Sequence, residues 1–219
     1  MSAPAGLRAI LFDWDGTLAN TAEASYRCYE KLFGSYGILF DRDAFQRTYS
    51  PNWHFTYTAL GLAPESWVEA DARWLTHYQD EAVVLIEGAR EALTRVRAAG
   101  LAAGLVTSGD RVRVARELAG LDVASFLEVV VCAEDIVNRK PHPEALLLAL
   151  GRMGVDARHA AYVGDSPEDI EMARAAGVYA VGIPGGFPNR DALAKSRPDQ
   201  VASTVAQAVE GLLGDATGA

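Results

Sequence analysis

Asp13-Trp14-Asp15-Gly16-Thr17 follows directly on the apolar run Ala9-Ile10-Leu11-Phe12. A short apolar run that stops at acid, Gly and Thr reads as a buried strand ending at a polar edge. Ligands of open α/β sheets collect at the carboxyl ends of strands. Two carboxylates there can divide labour, one as nucleophile and metal ligand, the other as general acid and base. The same residues also suit an ordinary capped turn, so the pair needs company before it means chemistry.

Three further strand ends supply it. Leu101–Val106 runs into Thr107-Ser108-Gly109-Asp110, where a hydroxyl and free backbone N–H groups can grip phosphate oxygens. Asp110 is equally well placed to cap the helix that begins near Arg111. Lys140-Pro141 comes after the apolar run Val129–Cys132, in a chain with far more Arg than Lys. A flexible ammonium suits a phosphoryl group beside a carboxylate. Finally, Ala161–Gly164 leads into Asp165-Ser166-Pro167-Glu168-Asp169. Ser166 as N-cap, Pro167 as first helical residue and acids in the first turn make a complete helix start. Capping leaves Asp165 unexplained. Acid pair, hydroxyl, lysine and acid pair at four strand ends describe metal-assisted phosphoryl transfer.

In this order the four segments resemble the motifs of the haloacid dehalogenase (HAD) superfamily, and the match spans nearly the whole core. The resemblance implies an α/β, Rossmann-like, doubly wound, mostly parallel sheet with an inserted helical cap. It also implies a covalent aspartyl-phosphate mechanism with Mg²⁺. Carried over by position, Asp13 is the nucleophile and a metal ligand. Asp15 protonates the leaving oxygen and then activates water, its backbone carbonyl touching the metal. Thr107 and the Ser108 amide hold phosphate oxygens, and Lys140 steadies Asp13 and the phosphoryl charge. Asp165 ligates Mg²⁺ and Asp169 supports the metal's waters. Nearby negative charge is expected to raise the pKa of Asp15 so that it carries a proton at the first step.

The elements that must position these residues alternate along the chain. Strands are expected near Leu7–Phe12, Leu101–Thr107, Glu128–Cys132, Ala161–Gly164 and Val178–Ile183, and helices at Ala89–Ala99, Arg111–Leu118, Pro143–Met153 and Pro167–Ala176. The tail Gly214–Ala219 reads as frayed.

Most of the aromatic residues fall between residues 20 and 80, a helical segment in which Tyr26, Tyr29 and Phe33, then Trp67, Trp74 and Tyr78, share helix faces. Such faces read first as packing between small helices. The placement resembles the C1 cap of the phosphoglycolate phosphatase-like branch. It gives domains of 1–19 with 82–219 for the core and 20–81 for the cap. By its place, Arg47-Thr48-Tyr49-Ser50-Pro51-Asn52-Trp53-His54 resembles the family's substrate-specificity loop. Asn52, Trp53 and His54 are its candidates for leaving-group contacts, and Arg47 for a second anionic group.

Departures narrow the branch. Asp15 stands where haloacid dehalogenases carry an aromatic residue. Phosphonoacetaldehyde hydrolases lack that second Asp and use a cap lysine, whereas Lys31 here sits in a helix beside aromatics. Ser25 replaces a His of the β-phosphoglucomutase branch, which weakens a mutase reading. Asn20 stands where the family often has Asp.

Composition sets the outer bounds. At 219 residues, half of them hydrophobic, the chain can bury a sizeable core. A net charge of −9 argues against general nucleic-acid or anionic-membrane binding. No apolar run approaches a membrane span and the first residues lack the core of a signal peptide. Cys28 and Cys132 form neither a disulfide framework nor a zinc motif. The expectation is a cytoplasmic, monomeric or homodimeric phosphatase acting on a small phosphate ester. The alternatives are a phosphomutase and a non-catalytic binding protein of the same fold.

Overall fold

The computed structural model describes residues 3–216. Six parallel strands form the main sheet in the order β5-β4-β1-β6-β7-β8. They are β1 (Ala9–Phe12), β4 (Ala102–Val106), β5 (Val129–Val131), β6 (Ala160–Gly164), β7 (Tyr179–Gly182) and β8 (Gln200–Val201). β1 lies at the centre, in register with β4 on one side and β6 on the other. The chain winds outward both ways from β1, so the crevice at its carboxyl end is the topological switch point where such sheets bind ligands.

Pleating divides the strand residues between two cores. Ile10, Phe12, Ala161 and Val163 face helices α5 (Ala89–Ala98), α6 (Arg111–Gly120) and α10 (Val205–Ala216). Ala9, Leu11, Ala160 and Tyr162 face α7 (Glu144–Met153), α8 (Pro167–Ala175) and α9 (Arg190–Lys195). Buried on both faces, the central strands are apolar throughout, as parallel sheets require.

Between β1 and β4 the chain leaves the sheet to build α1 (Ala22–Ser35), α2 (Arg42–Thr48), α3 (Trp53–Ala59) and α4 (Trp67–Tyr78). Tyr26, Tyr29, Phe33, Phe40, Phe45 and Tyr57 are buried together as their shared core. A short antiparallel ribbon, β2 (Ala19–Asn20) with β3 (Val84–Leu85), ties the outgoing chain to the returning one. Two-residue strands give no periodic signal, and the sequence reading did not contain them.

Other differences are equally local. The first strand begins at Ala9, although Leu7 is buried. The expected frayed tail is helical through Ala216 as part of α10, and residues 217–219 lie outside the described residues. Both cysteines are buried and free. No helix among the described residues is long and apolar enough to cross a membrane.

Candidate active site

The carboxyl ends of β1, β4 and β6, with the loop that carries Lys140, bring the motif residues around one cavity. Asp13 leaves the end of β1, its backbone N–H donating to the Val163 carbonyl of β6. Gly16 follows at φ +85°, a conformation that lets the chain fold back after the acid pair. Thr107 follows directly on β4, where its Oγ1 accepts from the Gly109 N–H at 3.0 Å. Asp110 caps α6 by accepting from the Arg113 N–H at 2.9 Å.

Lys140 lies beneath the acids and spends all three ammonium protons. Nζ donates to Asp13 Oδ1 at 2.7 Å, to Asp169 Oδ1 at 2.7 Å and to the Tyr162 hydroxyl at 2.8 Å. Tyr162 in turn donates to the Val106 carbonyl at 2.8 Å. This tyrosine is one residue the sequence reading missed, because inside an apolar strand it looks like any core residue.

Asp169 is engaged through both oxygens. Its second oxygen accepts from the Ser166 N–H at 3.1 Å and Oγ at 2.8 Å, completing the capping box of α8. Asp165 is different. Its Oδ2 is buried with no hydrogen-bond partner among the described residues. A Cβ added to Gly16 or to Gly185 would run into that same oxygen.

Carboxylate oxygens of Asp13, Asp165 and Asp169 lie within 4.8 Å of one another. Against these three acids stands one ammonium. Burial pushes the Asp13 carboxyl up to about 7 against the pull of Lys140, with the Asp169 and Asp15 charges adding to the rise. Asp165 is raised well above the usual range by burial, then by Asp13 and Asp169. An all-oxygen donor set, excess negative charge, an orphaned carboxylate oxygen and a Gly-lined cradle beside it fit a divalent cation. The Asp15 carboxylate is not part of this cluster.

Asp15 instead meets Arg113 of α6 through two hydrogen bonds, Nη1 to Oδ1 at 2.9 Å and Nη2 to Oδ2 at 2.6 Å. Burial works to raise its pKa, but the Arg113 charge and hydrogen bonds outweigh it and hold the carboxyl below its ordinary value. The expected upward shift is therefore corrected, because a cation rather than an acid is the nearest neighbour. Arg113 also approaches Glu117 at 3.3 Å, and Glu117 accepts from Trp14 Nε1 at 2.6 Å. Arg113 and Glu117 are both buried. In sequence they are only an i,i+4 pair within the helix expected at Arg111–Leu118.

Above the cluster a cavity of about 400 Å³ opens between sheet edge and cap. Asp13, Asp15, Thr107, Ser108, Lys140, Asp165 and Asp169 all line it. From the segment 47–54 Trp53 reaches it, with Tyr49 and Ser50, whereas Arg47, Asn52 and His54 do not. Arg47 is exposed. Asn52 stands at the N-cap position of α3 without a side-chain cap bond, and His54 stacks on Trp67 with ring centres 4.3 Å apart. The cap rests on the core through Tyr49 stacked on Phe187 at 4.4 Å and Ser50 Oγ donating to Glu168 at 3.2 Å.

The family profile described as Haloacid dehalogenase-like hydrolase matches residues 10–183. The chain belongs to this family. Among curated relatives it is 33% identical over 205 residues to a phosphoglycolate phosphatase of Yersinia pseudotuberculosis, covering 89% of this chain and 88% of that one. In fold it is similar to CbbY from Rhodobacter sphaeroides in complex with phosphate, with TM-score 0.80 and 22% identity over 94% of this chain and 99% of the other. It is also similar to a candidate β-phosphoglucomutase from Thermotoga maritima, with TM-score 0.74 and 24% identity over 95% and 99% of the two chains. The HAD-like hydrolase fold and its buried aspartate cluster are thus present together, as a HAD-type phosphatase requires.

Proposed function

We propose that this HAD-like hydrolase is a Mg²⁺-dependent phosphatase that cleaves a small phosphate monoester through an aspartyl-phosphate on Asp13. The observation that carries the reading is Lys140 held between Asp13 and Asp169 beside the unpartnered Asp165 oxygen. In this reading residues 1–19 and 82–219 form the catalytic core and 20–81 the cap.

Asp13, Asp165 and the Asp15 backbone carbonyl would hold the metal, with Asp169 supporting it from behind. Bound there, Mg²⁺ supplies charge neutralisation and Lewis acidity toward the phosphoryl oxygens. A carboxylate oxygen of Asp13, kept free of its proton, attacks phosphorus as the bond to the leaving oxygen breaks. Lys140 favours the ionised form of Asp13. Thr107 and the Ser108 amide bind phosphoryl oxygens at the end of β4. Asp15 gives its proton to the leaving oxygen, then takes one from the water that attacks the phosphoenzyme. That releases inorganic phosphate and restores Asp13. In the resting geometry Asp15 is the carboxylate paired to Arg113, the form needed for the second step. Serving as acid first requires it to gain a proton and loosen from Arg113.

The relative from Yersinia makes phosphoglycolate one substrate to test. The phosphomutase alternative draws on fold likeness, but Ser25 lines the cavity where the mutase branch would carry its His. Hydrolysis is therefore the preferred outcome. Action in the cytoplasm, as a monomer or homodimer on a small soluble ester, completes the proposal. Phosphate release from an ester panel, with Mg²⁺ or EDTA, tests it in wild type and Asp13→Asn. Isomerised phosphosugar without free phosphate would favour the mutase instead.

A further inference from the structure

Arg139 precedes Lys140 in the chain, but the two side chains part company. Lys140 runs under the carboxylates, while Arg139 enters the wall of the cavity. Its guanidinium carbon lies 4.0 Å from the centre of the Trp53 ring, so a core cation rests on a cap aromatic. Nη1 is buried and has no hydrogen-bond partner among the described residues. Asp71 and Glu134 are near enough for their charges to act on Arg139, yet burial still pulls its pKa down.

A buried donor left unpaired is costly, and more so when charged. Such a group in a cavity wall asks for an acceptor from the ligand. Trp74 lines the same cavity, and its Nε1 is buried and unpartnered among the described residues. The nucleophile and Lys140 belong to the phosphoryl end, so these two donors stand among the groups left for the rest of the substrate, with Asp71, Glu134, Tyr29 and Tyr57. Arg47, the expected receptor for a second anion, is exposed and off the cavity.

The geometry points to Arg139 as the receptor for a second anionic group on the leaving alcohol, held against Trp53 of the cap. This inference rests on the phosphatase reading for its substrate and names the class within it, esters bearing a carboxylate or a second phosphate. A planar guanidinium takes either oxyanion through paired hydrogen bonds. Because Trp53 belongs to the cap, an anion that orders Arg139 there also favours the cap-down arrangement.

The test compares esters that differ in the second anion. The pairs are phosphoglycolate with ethyl phosphate, phosphoglycerate with glycerol phosphate, and a hexose bisphosphate with the corresponding monophosphate. Wild type, Arg139→Gln and Arg139→Lys are assayed, with melting curves to verify folding. In parallel, calorimetry with Mg²⁺ present measures binding of phosphonopropionate and propylphosphonate, which are not turned over.

Wild type should favour the anionic member by about tenfold or more in kcat/KM, mostly through KM. Arg139→Gln should bring that ratio close to one, and Arg139→Lys should restore part of it. The carboxylate and bisphosphate arms show which oxyanion is preferred. Equal handling of each pair by wild type, or a ratio that survives Arg139→Gln, would overturn the inference. So would equal binding of the two phosphonates by folded wild type and variant. If no ester is hydrolysed but phosphonopropionate still binds better through Arg139, the phosphatase reading fails and the anion receptor stands.

Discussion

Arg113 and Asp15, ninety-eight residues apart in the chain, meet side on through two hydrogen bonds of 2.9 and 2.6 Å. The pair joins α6 to the loop after β1, and Glu117 with Trp14 extends it into the core. One cation thus sets the state of the proposed acid and base and anchors the strand end that carries the nucleophile.

Removing that cation alone leaves Asp15 and Glu117 facing each other in a buried site. Arg113→Met should destabilise the protein by about 3–5 kcal/mol, the cost of breaking a buried pair from one side. Arg113→Met with Glu117→Gln should recover part of the loss by removing one orphaned charge. Denaturant titrations of the two variants decide it. A loss below about 1 kcal/mol in the single variant would mean the network contributes little.

The proposed division of labour between the two acids predicts different defects. Asp13→Asn should abolish turnover and leave no phosphoenzyme. Asp15→Asn should slow turnover by about 10²–10⁴-fold through loss of acid and base catalysis. It should also retain the metal, because its carboxylate lies outside the acidic cluster. Rapid-quench mass spectrometry for a phosphorylated Asp13 and Mg²⁺ titration of each variant check both statements.

Metal removal should matter more at high pH than at low. Burial is the chief cause that pushes the Asp13 carboxyl up to about 7 from an ordinary 3.8. A raised acid binds more protons folded than unfolded, so the metal-free protein loses stability as pH rises from about 4 to 7. Mg²⁺ competes for the same carboxylates, so its stabilisation should grow over that window. Thermal melts with Mg²⁺ and with EDTA should separate by at least about 4 °C more at pH 8 than at pH 5. A gap independent of pH would remove Asp13 from the metal site.

Gly185→Ala probes the cradle beside Asp165 without touching an acid. The new methyl group would press on Asp165 Oδ2, and the backbone there is not left-handed. The fold should hold while Mg²⁺ affinity falls by about 10–100-fold, the range seen when a ligand's support is disturbed. Calorimetric Mg²⁺ titration with a melting curve gives both quantities. Unchanged affinity would show that Asp165 has room to move.

Much of the core was legible because its signals are short-range. Four apolar runs ending in polar clusters marked β1, β4, β5 and β6, and Ser166-Pro167 with Asp169 marked the start of α8. The aromatic spacing of residues 20–80 announced helices packed on one another, as the buried Tyr26, Tyr29 and Phe33 bear out. What escaped had no local signature. Tyr162 sits inside an apolar run, and nothing near Arg113 or Glu117 in the sequence points to Asp15 or Trp14. The two-residue strands β2 and β3 were too short to show alternation.

By itself the sequence determined which residues stand at the ends of the strands, since strand length, alternation and capping depend on near neighbours. Only the tertiary structure decided what those residues face. It set Asp15 against a cation instead of acids, left Asp165 with a free oxygen, and put Arg139 rather than Arg47 in the cavity. Those outcomes depend on how distant helices pack over the sheet edge, and burial then fixes which charges are compensated.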